Sequence, residues 1–118
     1  MYKRQDNTNE NYYQYIEGTQ TLRTPNNSVV FGQQALVNVL KDVTITDSYI
    51  YKDGVLIDNT SLTSSDNTAN IQIGAEDGNN ADFPYEGTMQ EVILFNSDQS
   101  DNRTGIENNI NKHFKIYE

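Results

Sequence analysis

The apolar residues of this chain fall into short runs separated by turn formers, and their spacing is mostly that of strands. Tyr12, Tyr13, Tyr15 and Ile16 form a first strand that stops at Glu17-Gly18, and residues 19–24 supply its hairpin partner. Pro25-Asn26-Asn27 is a turn signal. Residues 28–31 read as a short apolar strand closed by Gly32. Residues 33–41 put Ala35, Val37 and Val39 on one face and Leu36, Asn38 and Leu40 on the other, a strand with one apolar and one mixed face. The clearest hairpin joins residues 44–52 to residues 55–59, because Asp53-Gly54 supplies the positive φ angles of a tight reversal. A polar connector, residues 61–67, leads to Ile71-Gln72-Ile73-Gly74, which alternates and ends at a glycine.

Two further elements close the chain. Met89 to Phe95 is almost continuously apolar, and a strand buried on both faces has no reason to alternate, so this run is expected in a central position between two layers. Beyond it, Ile106, Ile110, His113, Phe114 and Tyr117 recur at helical spacing, which predicts one helix between about residues 99 and 117. Asp98 or Ser100 can cap its first amides. Gly105, about 1 kcal/mol worse than alanine in a helix, makes irregular first turns the expectation. Six to eight strands and one helix read as an all-β domain.

Composition narrows the class. At 118 residues the chain is one domain at most. Apolar residues make up 35% and mean hydropathy is −0.76, yet grouping into runs argues against disorder. A net charge of −9 would repel a phosphate backbone and an anionic bilayer, which argues against nucleic-acid and membrane-surface partners. No apolar run approaches the roughly 20 residues of a membrane-spanning helix. Without cysteine there is neither a disulfide framework nor a thiolate metal site. Met1-Tyr2-Lys3-Arg4-Gln5 can be encoded by the tail of a transposase-type sequencing adapter. Residues 1–5 are therefore expected to be non-native and the domain to run over 6–118, and the lack of a signal peptide carries no information.

The order Ile71-Gln72-Ile73-Gly74, polar loop, Tyr85-Glu86-Gly87-Thr88-Met89-Gln90-Glu91-Val92-Ile93-Leu94-Phe95, short helix resembles the closing part of concanavalin A-like, laminin-G-like jelly-roll domains. The stretch from Asn96 through Asn102-Arg103-Thr104-Gly105-Ile106 is most similar to the variants in phage and marine bacterial surface proteins. That family usually has Val-Asn-Gly where this chain has Lys52-Asp53-Gly54. The resemblance implies an antiparallel β-sandwich, a jelly roll with more strands than are counted here and one short C-terminal helix, hence an N-terminally truncated domain whose missing strands precede Tyr12. It also implies that calcium can sit at the sandwich rim.

Several residues invite a chemical reading. Glu91, inside the apolar run, is either a catalytic acid/base or a structural acceptor for backbone amides. Glucanases on this scaffold carry paired carboxylates on one strand, and Glu91 is followed by Val92-Ile93-Leu94-Phe95, so the structural role is preferred. The loop 76–82 is rich in oxygen ligands. Asp77 and Asp82, with Asn79 or Asn80, form a candidate calcium or glycan site, against the alternative of a solvated loop of turn formers. Tyr85, with Phe83 beside it, would stack on a sugar or plug the sandwich edge. His113 has no companion ligand, and packing or a charge interaction at the helix C-terminus is its expected role. Three N-glycosylation patterns, at Asn26, Asn59 and Asn102, carry no information in a bacterial or phage setting.

The functional expectation is a non-catalytic carbohydrate- or surface-binding module of a larger extracellular or virion protein. Its ligand would be a glycan or host-surface polymer. Two alternatives stand beside it: a purely structural virion or surface module without a small ligand, and a piece of a glycoside hydrolase or lyase whose catalytic strand lies upstream. All three rest on fold-level analogy.

Overall fold

The computed structural model describes residues 2–5, 11–17, 20–41, 47–61, 73 and 87–118. They form six strands, β1 (Tyr2–Gln5), β2 (Asn11–Glu17), β3 (Gln20–Arg23), β4 (Val37–Lys41), β5 (Ser48–Lys52) and β6 (Val55–Thr60), then a 3₁₀ turn at Ser100–Asn102 and helix α1 (Arg103–Phe114). The strands make two small antiparallel sheets in the orders β1-β2-β3 and β4-β5-β6. The β2–β3 and β5–β6 hairpins are those that the pattern predicts. The β1 ladder is a backbone pairing, Tyr2 opposite Gln14 through Gln5 opposite Asn11.

Among the described residues the two sheets meet through one small core. Leu22 of β3 and Ile50 of β5 are fully buried, with Tyr15, Val37, Val39 and Ile57 packed half-buried against them. Register accounts for this grouping: Tyr15 pairs with Leu22, and Val39 pairs with Ile50, so each pair shares a sheet face. A bulge between Ile50 and Tyr51 shifts the β5–β6 register. β3 lies against β5 and β6, and the Arg23 amide donates to Asp58 Oδ2 at 3.4 Å. The other face of the second sheet carries Asn38 and Leu40 opposite Tyr51 and Tyr49.

The β5–β6 reversal follows its sequence. Asp53 (φ 52°) and Gly54 (φ 81°) are both left-handed, as a two-residue hairpin turn of this kind requires. Asp53 does more than turn the chain. Its amide donates to Leu36 O at 2.8 Å and its Oδ1 accepts from Leu36 N at 2.9 Å, so residue 36 is fixed just before β4 begins.

Two expected strands are absent. Residues 28–31 lie in turns: Ser28 N donates to Pro25 O and Gln33 N to Val30 O, each at 3.2 Å, with Gly32 at φ 77°. Val30 and Phe31 are exposed instead of paired. The run Met89–Phe95 is likewise irregular and exposed, Leu94 at 68%, and it is not a central strand. An apolar run without alternation carries no information about faces, and burial on both sides needs a strand on each flank and a layer above and below. Each three-stranded sheet already has its register set by its own hairpin. The alternating segment at residues 71–74 lies outside the described residues except for Ile73, which is exposed.

The helix begins with the irregularity that Gly105 suggests. Asp98 Oδ1 accepts from Ser100 N at 2.9 Å and its Oδ2 from the Ser100 hydroxyl at 2.8 Å, so Asp98 fastens the 3₁₀ turn from which α1 emerges. At the other end Lys115 (φ 54°) closes the helix by donating its amide to Asn111 O at 2.7 Å.

Because the core is small, each of its two central side chains should matter. Leu22→Ala and Ile50→Ala are each expected to cost about 2–5 kcal/mol in denaturant unfolding. A loss under about 0.5 kcal/mol, the range of exposed sites, would remove these residues from the core.

Candidate functional site

The best-defined cluster of polar side chains lies where α1 rests on the second sheet. Asn38 and Tyr51 are cross-strand neighbours on the outer face of β4 and β5. Arg103 and Glu107 stand one turn apart on the helix, so they share a face. Asn38 Nδ2 donates to Glu107 Oε1, and Arg103 Nη1 donates to Glu107 Oε2, both at 2.5 Å. The Arg103 guanidinium lies 3.9 Å from the centre of the Tyr51 ring, where the negative face of the ring favours a cation. The Tyr49 ring continues the aromatic surface at 6.5 Å from that of Tyr51.

Glu107 is 3% exposed, the one buried residue of α1. Ile106, Ile110 and Phe114, the face that the helical spacing picks out, are all half-buried, while a carboxylate takes the buried position. A buried carboxylate is tolerated when it is paired and hydrogen-bonded, and here each oxygen has a partner. Meeting the demand of Glu107 fixes the Asn38 amide with its nitrogen toward the helix and leaves Oδ1 without a partner.

The end of the chain completes the junction. Asn111 Oδ1 accepts from the amides of Ile116 (2.8 Å) and Tyr117 (2.9 Å), and its Nδ2 donates to Tyr117 O at 2.8 Å. This fold-back brings Tyr117 over the β5–β6 turn, its hydroxyl 3.5 Å from where a Cβ on Gly54 would stand. Burial raises the Tyr117 phenol above its ordinary value of 10.0; the charges of Glu107 and Asp53 add to the rise and that of Arg103 opposes it. Asp53 is itself held by the Leu36 amide and by Lys52 Nζ at 2.7 Å.

Chemically the junction is a fastener. Its acid is paired with Arg103 and hydrogen-bonded by Asn38, and its base is engaged with the acid and an aromatic ring. The Arg103–Glu107 spacing was available in the sequence as a helix pair, and Asn38 as the polar residue between Leu36 and Leu40. Nothing in the sequence says that the two meet.

The expected site residues stand as follows. Asp77, Asn79, Asn80, Asp82 and Tyr85, with Phe83, lie outside the described residues. Glu91 is exposed on irregular backbone, so its expected place inside a buried strand is corrected along with the strand. His113 is exposed, its ring edge-on to Phe114 at 4.6 Å, and it shares the last helical turn with Lys112, where positive charge suits the helix dipole. Of the tyrosine cluster, Tyr12 is buried beneath the Arg23 guanidinium, 5.3 Å from the ring centre. Among the described residues no group of three or more His, Cys, Asp or Glu side chains could hold a metal ion. No described helix is long and apolar enough to cross a membrane.

Compared with known proteins, the chain matches no family model, no curated protein and no solved structure. The jelly-roll resemblance rests on the residues quoted for it.

Glu107→Ala would leave Arg103 and Asn38 without their shared acceptor. A loss of about 3 kcal/mol is expected in denaturant melts, with a smaller loss for Glu107→Gln, which keeps one acceptor. A loss near zero for Glu107→Ala would mean that the helix is held by its half-buried apolar residues. For Tyr117 the folded state holds the phenolic proton more tightly than the unfolded chain does. Its contribution to stability is whole below about pH 10 and is lost as pH rises through the raised value. Wild type should lose stability in that alkaline window relative to Tyr117→Phe, and parallel pH profiles would reject the coupling.

Proposed function

We propose that this chain is a non-catalytic binding module of a larger extracellular or virion protein, recognising a glycan or host-surface polymer through its loops. The architecture proposed is the concanavalin A-like, laminin-G-like jelly roll, with which two antiparallel sheets and a terminal helix are compatible. Calcium at the loop 76–82, through Asp77 and Asp82 with an amide carbonyl of Asn79 or Asn80, belongs to this reading, with Tyr85 alongside.

The observation that carries the non-catalytic part is that four of the described carboxylates are already engaged. A glycosidase needs two carboxyl groups facing one bond across about 5–9.5 Å, one of them free to give a proton. Here Glu107 is bound by Arg103 and Asn38, Asp53 by Leu36 and Lys52, Asp58 by the Arg23 amide, and Asp98 by Ser100. Each of these acids supports a turn, a helix end or a sheet contact. In this reading function falls to loops on a fixed scaffold, where binding residues concentrate.

A second reading, a structural module that packs into a particle, is favoured by one observation. Val92, Ile93, Leu94 and Phe95 are consecutive and all exposed. Contiguous apolar surface of this kind marks an interaction site more often than a solvent-facing one.

One set of measurements separates these readings. Polysaccharide retention, release of reducing sugar and calcium calorimetry would be run on wild type, Asp77→Ala/Asp82→Ala and Glu91→Gln, with light scattering on wild type and Leu94→Asp. Retention without turnover is the expected result, with calcium binding lost in the double variant. Sustained turnover that disappears in Glu91→Gln would overturn the non-catalytic reading. Concentration-dependent assembly abolished by Leu94→Asp, with no retention on any polymer, would establish the structural module in its place.

A further inference from the structure

We propose that the turn at residues 30–33 is a glycan contact, with the Phe31 ring as the platform on which a sugar of an uncharged polysaccharide stacks. The inference rests on the glycan-binding reading above and adds a contact on a loop distinct from residues 76–82.

The first ground is display. Phe31 is 98% exposed, and Val30 beside it is 49% exposed. The ring occupies the second position of the turn that Gln33 N closes onto Val30 O. Gly32 follows it at φ 77°, a conformation that a side chain would strain. A Cβ on Gly32 would meet nothing within 4 Å, so the glycine serves the shape of the turn and not a close packing contact.

The second ground is rigidity. The loop is fastened to both sheets. At its start the buried Thr24 exchanges two bonds with Tyr13 of β2: Thr24 N donates to Tyr13 O, and Tyr13 N to Thr24 Oγ1, each at 2.9 Å. The Thr24 hydroxyl also bonds the Ser28 hydroxyl, and the Ser28 amide closes the preceding turn onto Pro25. At its end Leu36 is held through both backbone groups by Asp53. An aromatic ring presented on a braced loop loses little freedom when it is covered, which is what a binding platform needs.

Charge supplies the third ground and selects the ligand. No charged residue lies between Arg23 and Lys41, the longest uncharged stretch of a chain whose net charge is −9. The ring is flanked in sequence by exposed Asn27, Gln33 and Gln34, which offer amide donors and acceptors. Neutral amides near an exposed ring in sequence match a ligand with one apolar face and a rim of hydroxyls, and a pyranose has both. Anionic headgroups would meet the negative net charge. A protein partner would need far more area than one ring and one valine, since stable interfaces bury about 800 Å² on each side.

The test uses the full chain as wild type, Phe31→Ala and Phe31→Trp, on a panel of neutral polysaccharides (cellulose, xylan, β-1,3-glucan, agarose) with alginate as a charged control. The chain has no tryptophan, so Phe31→Trp places a single indole at the proposed contact. Wild type and Phe31→Trp should be retained on at least one neutral polymer, and its soluble oligosaccharides should shift the indole emission. Phe31→Ala should lose at least about tenfold in affinity, the effect of an aromatic anchor, with its melting temperature unchanged. Equal affinity of wild type and Phe31→Ala overturns the Phe31 contact while leaving the module a glycan binder. Retention on alginate alone also overturns it. No retention of wild type on any polymer overturns both the contact and the reading on which it rests.

Discussion

The arrangement of this fold depends on one buried carboxylate. Helix α1 has little apolar surface to bury, and Glu107 takes the place where an aliphatic side chain would be expected. The position is viable because Arg103 approaches from the same helix and Asn38 from β4, while Tyr51 covers the cation. Such a contact is directional in a way that apolar packing is not. It sets which turn of the helix faces which pair of strands, and so where the chain end returns to the sheet. Asn111 then hands Tyr117 to Gly54, the turn carries Asp53, and Asp53 fixes Leu36 at the foot of the bridging loop. Helix, hairpin turn and loop are linked by polar bonds around a core of few side chains.

This economy shapes what the molecule has left for function. Asp53, Asp98 and Glu107 are engaged in a hairpin turn, a helix start and the helix junction, while several large apolar groups stand outside the core. Phe31 and the run through Phe95 are the two clearest cases, and they differ in kind. Phe31 is a single ring on a braced turn among neutral amides. The later run is a continuous stretch of irregular backbone. The first suits a small, hydroxyl-rich ligand, and the second suits a large surface.

Local chemistry was readable from the sequence wherever it was self-sufficient. Asp53-Gly54 dictates its turn without help from the rest of the chain, and the β2–β3 and β5–β6 hairpins followed from alternation and punctuation. The helix was legible from its spacing, and its irregular start from Gly105 and Asp98. Errors came where the answer depended on partners. An apolar run such as Val92 to Phe95 becomes a central strand only if other strands accept it, and periodicity is silent about that. Residues 28–31 are a similar case, because the turn formers Pro25 and Gly32 outweigh three consecutive apolar side chains that find no strand to pair with. Glu107 went unnoticed since a carboxylate on a polar helix is ordinarily solvated, and its burial follows from Asn38, far away in sequence. Of the expected site residues, Glu91 was misplaced with its strand.

The Asp53-Gly54 turn has a further consequence, for chemical ageing. Aspartate followed by glycine is the dipeptide most prone to isomerise, because the unhindered glycine amide nitrogen can attack the side-chain carboxyl and form a succinimide. In this turn both carboxyl oxygens are occupied, Oδ1 by the Leu36 amide and Oδ2 by Lys52, and the backbone is locked with both residues left-handed. Ring closure within the folded hairpin therefore requires these bonds to be given up. Isoaspartate at residue 53 should accumulate only as fast as the hairpin opens, so the covalent lifetime of the chain is set by the same bonds that position its loop.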